Sequence, residues 1–291
     1  KCSPAPFGCE WGLPALRLIG GKEDKINSKK RDFRRRNSSN CPGKLNIVGI
    51  GPGDLSQLSR RAYDAIIESQ VIVGYTTYIK LLGKLIADKE IISSGMTQEI
   101  VRANKAIEKA LAGKIVCVIS SGDPGIYGMA GLILELLKKS DIEKLGVEII
   151  PGITAASACA SLLGAPLAQD FVVISLSDLL VTRKEIERKL KYAVRADFVV
   201  VLYNPKSKSR IKPLERAWSI ISQYRSAQTP VGIVRNAYRD YQYLRVTQLK
   251  NVGRIKDIDM ATTIIIGNSR TYVKGRYMIT SRGYDIKNVF R

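Results

Sequence analysis

The apolar run Ile115-Val116-Cys117-Val118-Ile119 passes directly into Ser120-Ser121-Gly122-Asp123-Pro124-Gly125-Ile126-Tyr127-Gly128. No other stretch constrains the fold as much. A continuous β-branched run reads as a buried strand. Gly122, Gly125 and Gly128, with Pro124, then demand a tight loop whose backbone can approach a ligand with no Cβ in the way. The apolar stretch from Met129 to Leu137 behind it reads as a helix. Strand, glycine loop and helix start make a ligand cradle at the carboxyl end of an α/β sheet. A βα turn that binds nothing has the same local pattern.

The same alternation runs through the first half of the chain. Strands are expected at Leu45 to Ile50, Val71 to Val73, Ile91 to Ile92 and Val147 to Ile150. Between them lie helices from Ser56, as N-cap, to Ser69, over Tyr75 to Leu85, and over Gln98 to Leu111. Thr154 to Leu163 is a further, small-residue helix. Alternating strands and helices imply a mainly parallel sheet. After Gly164-Ala165-Pro166 the later strands, near 171–176, 198–202, 231–234, 243–246, 262–266 and 272–279, have few helices between them. The helices there are near 183–193 and 214–224. That half is expected to hold a mixed sheet. The fold class is α/β, with an N-terminal domain over 44–165 and a C-terminal domain over 166–291. Residues 1–43, rich in Ser, Asn, Gly, Pro and clustered Lys and Arg, read as a disordered basic extension.

The chain contains no histidine, which excludes Ser-His and Cys-His dyads and imidazole metal sites. Its five cysteines include no C-x-x-C pair, so no metal site is expected. They read as reduced thiols of a cytoplasmic protein. No apolar run reaches the roughly 18 residues of a membrane span, so no membrane partner is expected. Lys and Arg number 47 against 26 acids. The first 43 residues hold 10 of the bases and 4 of the acids, leaving 37 against 22 in the remainder, a net of +15. Such a balance suits a polyanionic partner: nucleic acid, a membrane surface or a small molecule with many carboxylates.

Five polar or glycine-bearing turns follow expected strands: Gly51-Pro52-Gly53-Asp54, Gly122-Asp123-Pro124, Pro151-Gly152-Ile153-Thr154, Tyr203-Asn204-Pro205 and Arg235-Asn236-Ala237. Gly49-x-Gly51 invites a dinucleotide reading, but Asp54 stands where the third glycine would fall, and no Walker lysine follows Gly53. Turns contributed by both halves suggest one cleft lined by backbone groups. That lining suits a ligand that brings its own reactivity.

In this order the turns resemble those of the tetrapyrrole (corrin/porphyrin) methylases, over about residues 44 to 280. The resemblance extends to the branch acting at C17 of precorrin-3B or cobalt-factor III. It rests on the segments Gly152 to Ala158, Gly164 to Leu180, Leu202 to Ser207, Val231 to Arg239 and Thr262 to Ser269. It implies two α/β domains, usually in a homodimer, with S-adenosylmethionine in the cleft between them. Carried over by position, Pro52, Gly122, Asp123, Ile126, Thr154, Ala155, Asn204, Ala237 and Thr262 are the expected cofactor contacts. Tyr78, Tyr127, Asp170, Ser175, Ser177, Arg235 and Arg239 are candidates for the macrocycle side, the two arginines for its carboxylates. Tyr75 and Asp178 are candidates for proton transfer. The implied reaction is C17 methylation coupled to ring contraction in cobalamin biosynthesis, on a polycarboxylate substrate with or without cobalt. The alternative is a methyltransferase of the same fold acting on ribosomal RNA or another non-corrin substrate. The Gly125-Ile126-Tyr127-Gly128 loop and an aromatic content of 7% speak against it.

Overall fold

The computed structural model describes residues 43–207 and 210–285. The expected extension over 1–43 lies outside them, Gly43 excepted. Five strands form the first sheet: β1 (Lys44–Gly49), β2 (Val71–Tyr75), β3 (Glu90–Ser94), β4 (Ile115–Ser120) and β5 (Gly146–Ile150). Their order is β3-β2-β4-β1-β5, and every pairing is parallel. The β-branched strands can stack this way because helices cover both faces. On one face, α1 (Arg60–Glu68) and α2 (Thr76–Leu82) pack against Val48, Ile50, Ile72 and Ile119. On the other, α3 (Glu99–Leu111) and α4 (Ala130–Leu136) cover Leu45, Ile47, Val73 and Val118. A short helix α5 (Lys139–Lys144) precedes β5.

The neighbours β1 and β4 send their chains in opposite directions, β1 past β4 to β2 and β4 past β1 to β5. That divergence opens a crevice at their carboxyl ends, the usual ligand position in such sheets.

Helix α1 is capped by Ser59, whose side chain accepts from Ala62 N at 3.1 Å, and not by Ser56. Asp54 draws Ser56 into a separate 3-10 turn over Leu55–Gln57 by accepting from Ser56 N at 2.8 Å. The helix therefore starts one turn later than the sequence predicts.

A small-residue helix α6 (Ala155–Leu163) and β6 (Gly164–Ala165) lead into a second sheet. Its strands are β7 (Phe171–Ser175), β8 (Val199–Tyr203), β9 (Pro230–Arg235), β10 (Tyr243–Gln248) and β11 (Thr262–Ile266). Their order is β10-β9-β11-β8-β7, with β7 and β8 parallel and the other pairings antiparallel, the mixed sheet expected. Helices α7 (Arg183–Arg195) and α8 (Lys212–Ile221) cover one face through Ile186, Leu190, Leu214 and Ile221. Helix α6, which lies before the expected 165/166 boundary, buries Ala156, Cys159 and Leu163 on the other face with Val199, Val234 and Ile265. The single strand expected over 272–279 is a hairpin, β12 (Thr271–Lys274) and β13 (Tyr277–Thr280), turned at Gly275 with φ +59°. β13 also pairs with β6. Among the described residues no helix is long and apolar enough to cross a membrane.

The edge strand β5 is tied inward by Glu148, which accepts from Arg61 Nε of α1 at 2.7 Å and pairs with Lys44 Nζ at 3.1 Å. The Arg61 hydrogen bond is the main reason the Glu148 carboxyl titrates below its ordinary value of 4.5. Its stabilisation is thus present above that value and lost as pH falls below it, towards the folded pKa. Glu148→Gln is expected to lose stability less steeply than the parent below pH 4.5 in thermal melts. The difference should be small, because a partly exposed pair is screened by water.

Candidate functional site

Three loops of the first sheet are locked together at its carboxyl edge. Gly51 N donates to Gly122 O at 3.1 Å and Gly122 N to Gly51 O at 2.7 Å, both glycines at φ +68°. A Cβ at Gly152 would lie 2.2 Å from Gly122 O. Asp123 completes the lock, with Oδ1 accepting from Gly125 N at 2.8 Å and Oδ2 from Gly152 N at 3.1 Å. Its carboxylate thus joins the loop after β4 to the loop after β5. Two oxygens offer about four acceptor sites, so acceptor capacity remains for a ligand.

The second sheet presents a matching edge. β8 and β9 both run antiparallel to β11, so their carboxyl ends and the amino end of β11 lie on one side. At that edge Asn204 and Asn236 have φ of +51° and +52°, a left-handed conformation that Asn tolerates. Tyr127 and Tyr238 share it, and for bulky residues it persists only where surrounding contacts hold it. Tyr127 OH donates to Val173 O at 3.1 Å and accepts from Ser175 N at 3.3 Å, joining the two halves. Tyr238 OH bonds Ser161 Oγ at 2.8 Å.

Thr154 is the N-cap residue of α6, but its hydroxyl does not cap the helix. Tyr203 OH does so from the other half, accepting from Ala156 N at 2.6 Å and bonding Thr154 Oγ1 at 2.7 Å. Tyr203→Phe would leave that amide without its acceptor. The variant is expected to lose about 1–3 kcal/mol in denaturant melts and to weaken ligand binding at the start of α6.

Between the two edges lies a cavity of about 190 Å³. The loops of the first sheet contribute Pro52, Gly122, Asp123 and Ile126 to its lining, and α6 contributes Thr154 and Ala155. Asn204, Ala237 and Thr262 line it from the second sheet. The structure therefore brings all nine residues expected at the cofactor around one space. Tyr78, Tyr127 and Arg239 from the macrocycle-side set line it as well.

The remaining candidates lie outside this lining. Asp170 precedes β7 and so sits at the opposite edge, a strand length of about 16 Å away. Ser175 Oγ accepts from Asn204 Nδ2 at 2.9 Å and from Ser177 N at 3.2 Å, so both serines brace the Asn204 turn from behind. Asp178 pairs with Arg183 at 2.9 Å and Arg210 at 3.8 Å, and the Arg183 hydrogen bond holds its carboxyl below the ordinary range. Arg210 in turn donates to Asn204 O at 3.2 Å, so Asp178 supports the turn indirectly. Arg235 stands over the Tyr243 ring at 5.8 Å and 3.9 Å from Asp257. Tyr75 packs edge-on against Tyr78 with ring centroids 5.1 Å apart.

Sequence reasoning did not assign Ser121, Cys159, Tyr203, Asn236, Met260, Ala261 and Thr263, which line the cavity too. Tyr203 and Asn236 lie in turns already singled out. Cys159 lies one helical turn beyond Ala155, a spacing that places both on one face. Burial pushes its thiol up to about 11, so it stays protonated at neutral pH and supplies no nucleophile.

The cobalt-factor III methyltransferase of Priestia megaterium is 48% identical over 248 residues, 84% of this chain. The chain spans 46% of that protein's length. A probable cobalt-factor III C(17)-methyltransferase of Salmonella typhimurium is 46% identical over 242 residues, covering 83% of this chain and 100% of that one. The crystal structure of the methyltransferase CobJ matches with a TM-score of 0.78 at 32% identity, over 82% of this chain and 100% of that chain. The model of the tetrapyrrole (corrin/porphyrin) methylases matches residues 44–253, and with these relatives it establishes that the chain belongs to that family.

Proposed function

We propose that the chain methylates C17 of a corrinoid precursor, cobalt-factor III or its metal-free counterpart precorrin-3B, with S-adenosylmethionine as donor and with ring contraction coupled to the transfer. The observation that carries this reading is the gathering of the nine expected cofactor positions around one cleft between the two sheets. The relatives named for cobalt-factor III favour the cobalt-bearing substrate.

The lining fits the donor. A Cβ at Gly122 would lie 3.6 Å from Thr154 Cα and 3.7 Å from Ala155 N, filling the space in front of the helix start. The amide of Ala155 and the Thr154 hydroxyl suit a carboxylate or ribose. Asp123 suits an ammonium or hydroxyl donor, and Asn204, Ala237 and Thr262 would frame the purine. When bound, S-adenosylmethionine supplies a methyl already activated on a sulfonium. The residues of the chain then have to align donor and acceptor carbon and exclude water, a contribution of several kcal/mol from placement alone. A homodimer and a cytoplasmic location belong to the same reading.

Incubating the full chain with S-adenosylmethionine and cobalt-factor III should give a product one methyl heavier by mass spectrometry. Absence of that product, with precorrin-3B also unchanged, would remove the substrate assignment. Methyl transfer to RNA instead would favour the alternative.

A further inference from the structure

Of the described residues that line the cleft, Arg239 is the one cation and Asp123 the one carboxylate. Asp123 is engaged by two backbone amides, as set out above. Arg239 leaves the loop after β9 and reaches the first sheet, where Nη2 donates to Ser121 Oγ at 2.7 Å and Nε to Pro52 O. Both acceptors are neutral. The guanidinium can pass because residue 53 is glycine, where a Cβ would meet Arg239 Nε at 2.6 Å.

The other inward-reaching arginines have acidic partners: Arg102 with Glu99 at 3.5 Å, Arg210 with Asp178 at 3.8 Å and Arg225 with Asp197 at 2.5 Å. Among the described residues no carboxylate lies within ion-pair range of Arg239. Burial without a countercharge makes its charged form costly, and desolvation pushes its pKa below the ordinary arginine value.

Tyr78 of α2 lines the cavity with it, and its hydroxyl bonds no described residue. Burial raises its phenol, so at neutral pH the group is a donor. The titratable and charged groups acting on it are Arg239, Tyr75, and Arg102 and Glu99 of α3. A guanidinium and a phenol share one cavity, then, and among the described residues no carboxylate forms an ion pair or hydrogen bond with either.

We propose that Arg239 and Tyr78 together form a carboxylate-binding site in the cleft. A carboxylate oxygen can take an N–H from the guanidinium while the phenol donates to the other, giving charge-assisted bonds that neutral groups do not match. This rests on the donor and corrinoid reading, which offers two sources for the anion: the α-carboxylate of the cofactor or a side-chain carboxylate of the macrocycle. Arg235, outside the cavity, is not part of the site.

Calorimetry with S-adenosylhomocysteine and with its analogue lacking the carboxylate, together with KM for the corrinoid, tests this in the full chain, Tyr78→Phe and Arg239→Lys. If the anion is the cofactor's, the unaltered chain favours S-adenosylhomocysteine over the analogue by about tenfold or more, and both substitutions reduce that preference. If it is the macrocycle's, both variants bind S-adenosylhomocysteine as before and KM for the corrinoid rises by about tenfold. Unchanged affinities and KM in both variants would overturn the site. So would equal losses for S-adenosylhomocysteine and its analogue, the mark of a distorted cleft. If the unaltered chain fails to bind S-adenosylhomocysteine at all, the underlying reading fails first and takes the site with it.

Discussion

Gly152→Ala is expected to lower the melting temperature by about 6–12 °C and to abolish methyl transfer. The added Cβ would lie 2.2 Å from Gly122 O and 2.8 Å from both the carbonyl carbon and oxygen of Gly49. All three are backbone atoms, so no side chain can swing aside. Nor can the strands separate, because β1 is hydrogen-bonded to both β4 and β5 in continuous parallel ladders. Overpacking of this kind costs about 3 kcal/mol, the upper end of the usual range. Relief by moving the loop after β5 would carry Thr154 and the start of α6 out of the cleft. Gly131→Ala is the control: it lies in α4 with nothing within 4 Å of the new Cβ. Helix propensity alone should make that change stabilising by about 0.5–1 kcal/mol. A Gly152→Ala chain melting within about 2 °C of the parent, and still active, would show that the three loops are not interlocked as described.

The first sheet was legible because its central strands β1, β2 and β4 are buried on both faces, which demands unbroken apolar runs such as Ile115 to Ile119. The cleft was legible for a related reason. Glycine and asparagine directly after such runs supply the left-handed turns seen at Gly51, Gly122, Asn204 and Asn236. Which side chains enter the cleft was less legible, because that depends on strand direction and distant partners. Asp170 and Thr262 each lie at a strand's amino end, yet only β11 runs so that this end meets the cleft. Asp178 had the chemistry of a proton carrier, but it pairs with Arg183 and Arg210 outside the cavity lining. Arg239 bonds residues 187 and 118 positions earlier in the chain, a pairing that no local pattern encodes. At the start of α1 the expected cap, Ser56, is drawn into a separate turn by the side chain of Asp54, and Ser59 caps the helix instead.

Asp123→Ala should weaken S-adenosylhomocysteine binding by about tenfold or more if the carboxylate, which lines the cleft and holds its loops together, also meets the donor as proposed. Its bonds to Gly125 N and Gly152 N fasten the loop after β4 to the loop after β5. Hydrogen bonds to a charged acceptor contribute about 1.5–3 kcal/mol each, and water recovers part of that at an edge open to solvent. The net loss of stability is therefore expected to be about 2–3 kcal/mol in denaturant melts. Asp123→Asn separates the two roles. Its carbonyl oxygen can still accept from Gly125 N, whereas its NH2 group faces the Gly152 amide as donor against donor. A residue that only caps the turn would show graded melting temperatures across Asp, Asn and Ala with equal affinity in the folded variants. A residue that also meets the ligand's cationic end loses affinity in Asn nearly as far as in Ala, since both lack the charge. Calorimetry well below the melting point decides between them, and undiminished affinity in folded Asp123→Ala would confine Asp123 to the turn.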